Sequence, residues 1–464
     1  MTAPIIRRRS VGGASKPAVP AGQPERGAPL LAGLEWSPSF VAFLVYVFVI
    51  TTYRVPVGTA AMSVALLALP LEPRTLRLPP FVLCLAALLG WAFIGWSTSE
   101  YPTLVWDHLV DFSKIVAVVF VAVNVLTTRA RLRFFLLAYL AFFAFYPVRG
   151  ALFNYFLYGG TMGGRAVWNY SYSNPNDLAG MCLLFVALAA GALVTERTRW
   201  IRLCALAGVI VLPFLIVLTQ SRGAFVALLA FGAIALKDQW RRGRMLLLTA
   251  AAIVAVLVAA PDSVWRRLGT LKEVARQDER VQVADEGSAE QRLEIWKVAR
   301  AMIADQPMTG VGLGAYPEAH YIYAQRPEFN PTARGKRDTH STYLNILAEM
   351  GLPGLILFGL VVALPLMKAE QVRRRIKATH PARAQQLRYF VLGMIGYLVA
   401  GIWGSYGALV PTYLYLSLVF VAALVLQERE LPLRRSLRLG SRGRARSAAT
   451  ATATATPIVR RTVR

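Results

Sequence analysis

Three residues in this chain have types and placings that could do chemistry: Arg222, Arg292 and His340. Each guanidinium is a planar, permanently charged fork that meets phosphate oxygens two at a time. A histidine titrating near 6.5 can take a proton from an attacking hydroxyl at neutral pH. Together they suit a reaction in which a phosphate or diphosphate leaves and a hydroxyl attacks. Singly, each has a plainer reading. Arg222 could snorkel to lipid headgroups, Arg292 could sit on a helix surface, and His340 could be a solvated boundary residue. Their weight comes from being expected on one side of a membrane.

The elements that must position them are apolar. The chain has 464 residues, 56% of them hydrophobic, with a mean hydropathy of +0.47 and 16% charged. Soluble domains carry roughly 25% charged residues. The net charge of +26 would suggest nucleic acid in a soluble protein. Here the basic residues fall between apolar blocks, without the aromatic interleaving that base stacking needs, so no nucleic-acid partner is expected. Cys84, Cys182 and Cys204 all lie inside apolar blocks, which argues against disulfides and against a zinc site. No metal and no cofactor is expected.

A spanning helix needs about 20 mostly apolar residues. Twelve segments qualify: 36–53, 56–72, 79–97, 106–128, 132–148, 177–195, 200–219, 222–237, 244–260, 341–367, 386–404 and 408–427. The expected fold is all-α, a polytopic membrane protein of about twelve transmembrane helices with one large, partly helical periplasmic loop at 261–340. Alternating the sides of these spans puts 34 Lys and Arg on one face and, in the short loops of the other, only Arg54, Arg149, Arg165 and Arg222. The positive-inside rule then places both termini in the cytoplasm. The domain reading is a basic cytoplasmic tail at 1–35, spans at 36–260, the loop domain at 261–340, spans at 341–427, and a second basic tail at 428–464. Both tails read as disordered, and the second as a surface for anionic membrane lipids.

The segment 261–340 holds most of the polar chemistry. Leu293, Trp296, Ala299, Met302 and Ile303 recur at helical spacing, with Arg292 at the edge of that stripe and Pro307 closing the helix. "MTGVGLGAY" follows. It lacks the Gly-Lys-Ser/Thr ending of a phosphate loop and reads as a flexible bend.

Several blocks carry a family likeness. "YSNPNDLAG" (172–180), "TQSRGAFVAL" (219–228), "QRLEIWKVARAMIADQPMTGVGLGAY" (291–316) and "DTHSTYLNILAEMGLPGLILFG" (338–359) resemble, in order and spacing, the signature blocks of the O-antigen ligase / O-antigen polymerase superfamily. The resemblance implies a GT-C-type glycosyltransferase of the bacterial inner membrane that needs no metal. Such an enzyme moves a glycan from undecaprenyl diphosphate to an acceptor on the periplasmic face: lipid A-core, a growing glycan or a protein. It implies that Arg222 and Arg292 bind the diphosphate and that His340 is the base or orients the acceptor. Tyr343, Asn345 and Asn176 are implied as pocket residues, and Glu349 and Gly351 as packing residues of the tenth span. His340-Ser341 stands where many ligases have His-Asn, which leaves the subfamily open. Glycosylation ligases that accompany exosortase-type sorting systems are also similar.

Rival readings remain at this stage: a lipid-linked oligosaccharide transporter, a protein O-oligosaccharyltransferase, or a non-catalytic scaffold. A transporter would carry polar residues along a path near the membrane midplane. Apart from Asp111 and Lys114, the spans are mostly clean.

Overall fold

The computed structural model describes residues 30–53, 55–72, 75–168, 172–237 and 289–427. Its regular structure there is helical. In chain order the helices are α1 (Pro38–Thr52), α2 (Gly58–Leu67), α3 (Pro80–Thr98), α4 (Pro102–Val125), α5 (Arg129–Tyr158), α6 (Pro175–Thr195), α7 (Arg199–Leu218) and α8 (Arg222–Lys237). They continue with α9 (Ala289–Asp305), α10 (Tyr316–Tyr323), α11 (Thr342–Ile376), α12 (Pro381–Ala400) and α13 (Val410–Gln427).

Local sequence explains many of the helix starts. α1, α3, α4, α6 and α12 open on proline, whose missing N–H would have had no intrahelical partner at that position. Ser37 caps α1 by accepting from the Phe40 N–H, and Thr128 caps α5 by accepting from that of Arg131.

Among the described residues, seven helices are long and apolar enough to cross a membrane: α3, α4, α5, α6, α7, α11 and α13. Three apolar helices are shorter, Pro38–Thr52, Gly58–Leu67 and Arg222–Ala235. The expected span at 244–260 and the first part of the loop segment, to residue 288, lie outside the described residues, as do the terminal stretches 1–29 and 428–464. The fifth expected span, 132–148, is exceeded by its helix. α5 runs on to Tyr158 through two π-helical turns, Ala144–Val148 around Pro147 and Asn154–Tyr158. Arg149 therefore lies within a helix, its guanidinium 5.1 Å from the Phe153 ring centre.

α6 is the central helix, with most of its surface buried against α7 and α12. Phe185 of α6 stacks on Phe143 of α5 at 3.8 Å between ring centres and meets Tyr139 edge-on. The basic end of the bundle is locked by ion pairs. Arg131 reaches buried Glu72 at 2.7 Å and the Glu35 carbonyl, and Arg133 forks onto Glu196.

The element that matters most for the site is α11, which breaks at Gly351 (φ +64, ψ −169) with Pro353 two residues on. Pro353 has no N–H to give the Glu349 carbonyl, and the break frees neighbouring groups as well. The loop after α9 satisfies them. Val311 N–H bonds the Ala348 carbonyl at 2.9 Å, Gly312 N–H bonds that of Glu349 at 3.0 Å, and Leu352 N–H bonds that of Pro307 at 2.9 Å. Trp91 of α3 donates to the Met350 carbonyl, and Ser99 donates to that of Val311. The glycine-rich segment expected to be a flexible bend is thus bonded to a broken helix. Irregular backbone within a spanning segment is tolerated where protein supplies its partners.

Glycine is required at this junction. A Cβ on Gly351 would stand 1.9 Å from the Met308 carbonyl oxygen, at a φ that side chains rarely adopt. Gly359 of the same helix has nothing within 4 Å of such a Cβ. Gly351→Ala is expected to destabilise the protein by about 1–3 kcal/mol, read as a lower Tm in detergent. Gly359→Ala should leave Tm unchanged or raise it.

Candidate functional site

His340 ends the segment that leads into α11, and its backbone is left-handed, with φ +49. A non-glycine residue held there marks a position that the surroundings over-determine. Those surroundings are visible. The Thr339 hydroxyl donates to the Ser341 carbonyl and accepts from the Ser341 N–H. Trp296 of α9 donates its indole N–H to the Thr339 carbonyl at 2.8 Å. Thr342 N–H bonds the Gly401 carbonyl, and its hydroxyl donates to Gly404 and accepts from the Tyr406 N–H. His340 is therefore clamped between α9 and the 401–409 loop.

The His340 side chain is 31% exposed, open enough to meet a substrate yet partly withdrawn from water. Burial holds its imidazole below the ordinary 6.5, Arg292, Arg165 and Arg337 push it further down, and Asp338 opposes them. Its Nδ1 stands 3.6 Å from Asp338 Oδ2, and Ser405 donates to Asp338 Oδ1 at 3.0 Å. At pH 7 the imidazole is neutral and able to accept a proton.

Arg292 is on α9, whose buried face is Gln291, Ile295, Val298, Ala299 and Met302. The stripe read from sequence was one step out of phase at its start, since Leu293 is 55% exposed. Asp305 ends the helix and accepts from Arg326 beyond α10. Arg292 acts on His340 and also on Tyr406, whose hydroxyl donates to the Asn176 carbonyl.

Arg165 was not singled out from sequence. It sits after a Gly163-Gly164 turn and forks two ways, Nε to the Thr219 carbonyl at 2.8 Å and Nη2 to Asn176 Oδ1 at 2.9 Å. Asn176 lies in the first turn of α6, which Asn174 caps. Arg165 thereby ties the Asn-rich turn to the Ser-Arg-Gly turn. A signal was present in the sequence, because Arg165 was one of the four short-loop arginines on the sparsely charged face.

Arg222 begins α8, just after that tied turn. Gln220 takes a left-handed φ of +52, Ser221 is buried, and Gly223 packs against Trp403 of the 401–409 loop. Arg292, Arg165 and Arg337 are cations that act on His340. Tyr343 and Asn345 turn toward protein partners. The Tyr343 hydroxyl donates to the Leu398 carbonyl at 2.7 Å, and the Asn345 amide donates to Glu349 Oε1 at 3.2 Å. Glu349 also takes the Tyr316 N–H, so it joins the glycine-rich loop to α11 rather than merely packing the span. Among the described residues no three His, Cys, Asp or Glu gather where a metal could sit. A cavity lined by Arg129, Arg133, Glu196 and Arg383, among others, lies at the far ends of α6 and α12 from His340.

Spanning helices with an arginine–histidine cluster gathered at one end define a multi-spanning membrane protein with a polar site at that end. Residues 207–359, about a third of the chain, match the family model described as O-antigen ligase, and the match supports the O-antigen ligase / O-antigen polymerase superfamily. The matched stretch runs from within α7 to within α11 and includes Arg222, Arg292 and His340. That family implies a membrane enzyme that transfers glycans, of the ligase or polymerase kind. No curated protein matches the chain.

The depressed titration of His340 carries a stability consequence. Unfolded, its imidazole binds a proton near 6.5, more readily than in the folded chain. Its contribution to stability is therefore whole above pH 6.5 and is lost as pH falls through the lower folded value. His320, buried beside the Gly335 carbonyl and also held below its ordinary value by burial, adds a fall of the same sign. Between pH 7 and pH 5, Tm should drop less in His340→Gln than in the unchanged protein.

Proposed function

We propose that the protein transfers a glycan from undecaprenyl diphosphate to an acceptor hydroxyl at the periplasmic face of the inner membrane. Arg292 and Arg222, joined by Arg165, hold the diphosphate and balance its charge as it leaves. The acceptor oxygen attacks the anomeric carbon, the bond from that carbon to the diphosphate oxygen breaks, and neutral His340 takes the hydroxyl proton. Undecaprenyl diphosphate departs with the bonding electron pair. The observation that carries this reading is a partly withdrawn imidazole set among arginines at one end of the bundle. The acceptor is lipid A-core or a similar molecule. A growing lipid-linked glycan would make the enzyme a polymerase, and a protein acceptor an oligosaccharyltransferase.

The orientation rests on charge. Arg129, Arg131, Arg133 and Arg383 stand at the end of the bundle opposite to His340. Set in the cytoplasm by the positive-inside rule, as in the twelve-span reading, they put His340 outside. The transporter reading has less support, because the charged pair in α4 lies on the outside of the bundle. Lys114 bonds Asp111 at 2.6 Å, and their side chains are 51% and 70% exposed.

The test uses purified protein in detergent with a synthetic undecaprenyl-diphosphate glycan and candidate acceptors, following diphosphate release and product mass. One glycan moved onto an acceptor supports the ligase, and growth by whole repeat units supports the polymerase. Donor binding without release under any condition would overturn the reading. His340→Ala should lower transfer by roughly 10²–10⁴ while donor binding holds. Arg292→Lys and Arg222→Lys should lose most activity at normal expression, because an ammonium cannot reproduce the fork. A lysine variant of near-normal activity would remove the fork from the mechanism.

A further inference from the structure

We infer that Asp338 is a positioning residue for His340, held in place by Ser405, so that the site works through a Ser405–Asp338–His340 chain. This rests on the reading of His340 as the proton acceptor. The geometry gives three links. Ser405 Oγ donates to Asp338 Oδ1 at 3.0 Å, which leaves Oδ2 facing Nδ1 of His340 at 3.6 Å. Trp296 grips the Thr339 carbonyl, between the two residues. The left-handed turn at His340 then fixes the ring's departure from the chain. A carboxylate on the Nδ1 side favours the tautomer with its proton there. That leaves the Nε2 lone pair free for the acceptor hydroxyl, the arrangement general-base histidines use.

The surroundings make such a carboxylate necessary. His340 faces Arg337 on its own segment, Arg292 on α9 and Arg165 on the loop before α6, and Asp338 is the anion that opposes them. Tyr316 of α10, Asp177 of α6 and Glu349 of α11 also lie within the field of Asp338, and Tyr406 lies beside Ser405. Without Asp338, an imidazolium formed during transfer would stand among three guanidinium groups. With it, the proton gained from the acceptor has a counter-charge. Ser405 comes from the loop after α12, whose Gly401 and Gly404 carbonyls anchor Thr342. The same loop therefore sets both the start of α11 and the rotamer of Asp338.

The experiment measures the pH dependence of kcat and the donor KM for the unchanged protein, Asp338→Asn, Asp338→Glu and Ser405→Ala. Folding of each variant is checked by Tm and gel filtration in detergent. Asp338 raises the His340 pKa, so its loss should move the acid limb of the kcat profile by about one pH unit to lower pH. The same change should lower plateau kcat by roughly tenfold, well short of the roughly 10²–10⁴ lost with the base itself. Donor KM should hold, Asp338→Glu should recover part of the rate, and Ser405→Ala should shift the limb in the same direction by less. An acid limb and kcat left unmoved by Asp338→Asn would overturn the inference, as would a loss confined to donor KM. If Asp338→Asn does not fold, the limb of Ser405→Ala decides in the same way. Normal transfer by His340→Ala would instead overturn the base role, whereas an inactive His340→Ala beside an unshifted Asp338→Asn would reject this chain alone.

Discussion

The backbone bonds between the glycine-rich loop and the break in α11 are the constraint from which the site follows. A helix interrupted inside an apolar bundle exposes carbonyl and amide groups that lipid cannot satisfy, at several kcal/mol each. Loop residues 307–312 supply the partners. Because that loop is the direct continuation of α9, the bonds fix α9, with Arg292, against the start of α11, with His340. Trp296 adds a second tie between the same two elements, at Thr339. The placing of Arg292 relative to His340 is thus set by main-chain bonds and an indole, which are less adjustable than contacts between long surface side chains. A site built this way has its geometry before substrate arrives, and pre-organised charge is the largest single contribution in most transfer reactions.

The charge arrangement carries a tension. Arg292, Arg165 and Arg337 crowd one histidine, and like charges near a partly withdrawn group oppose its protonation. In the free protein this holds the imidazole below its ordinary titration range. An anionic diphosphate bound among the same arginines would offset their field, so the donor itself would raise the basicity of His340. Proton acceptance would then be favoured when the leaving group is present.

Much of this was legible in the sequence, and the failures have physical causes. The all-helical class follows from hydropathy, and the choice of Arg292 and His340 as candidates follows from residue type, both of which act locally. Arg165 was visible only as a loop charge, because its value comes from meeting Thr219 and Asn176, residues 54 and 11 positions away. The glycine-rich segment reads as a bend because its partners are carbonyls of a helix that hydropathy presents as continuous. Gly351 and Pro353 do announce a break, yet nothing local says what fills it. Tyr343 and Asn345 were drawn toward the site by nearness in sequence to His340. In the structure their polar groups bond Leu398 and Glu349.

Left-handed backbone at Gln220 and His340 ties these strands together. Neither residue is glycine, and each stands at a turn that delivers an ionisable group to the same end of the bundle. Such conformations cost of order 1–3 kcal/mol and persist only where neighbours over-determine them. At Gln220 the turn is held by Arg165 through Thr219, and at His340 by Trp296 and the Thr339–Ser341 pair. The arginine that forks onto a turn and the indole that grips one therefore do the same work from opposite sides. Relaxing either turn would move Arg222 or His340 while leaving the spanning helices intact. Stability alone gives no reason to keep two strained turns in a bundle already closed by its apolar core. The proposed meeting of a fork and a base on one substrate would.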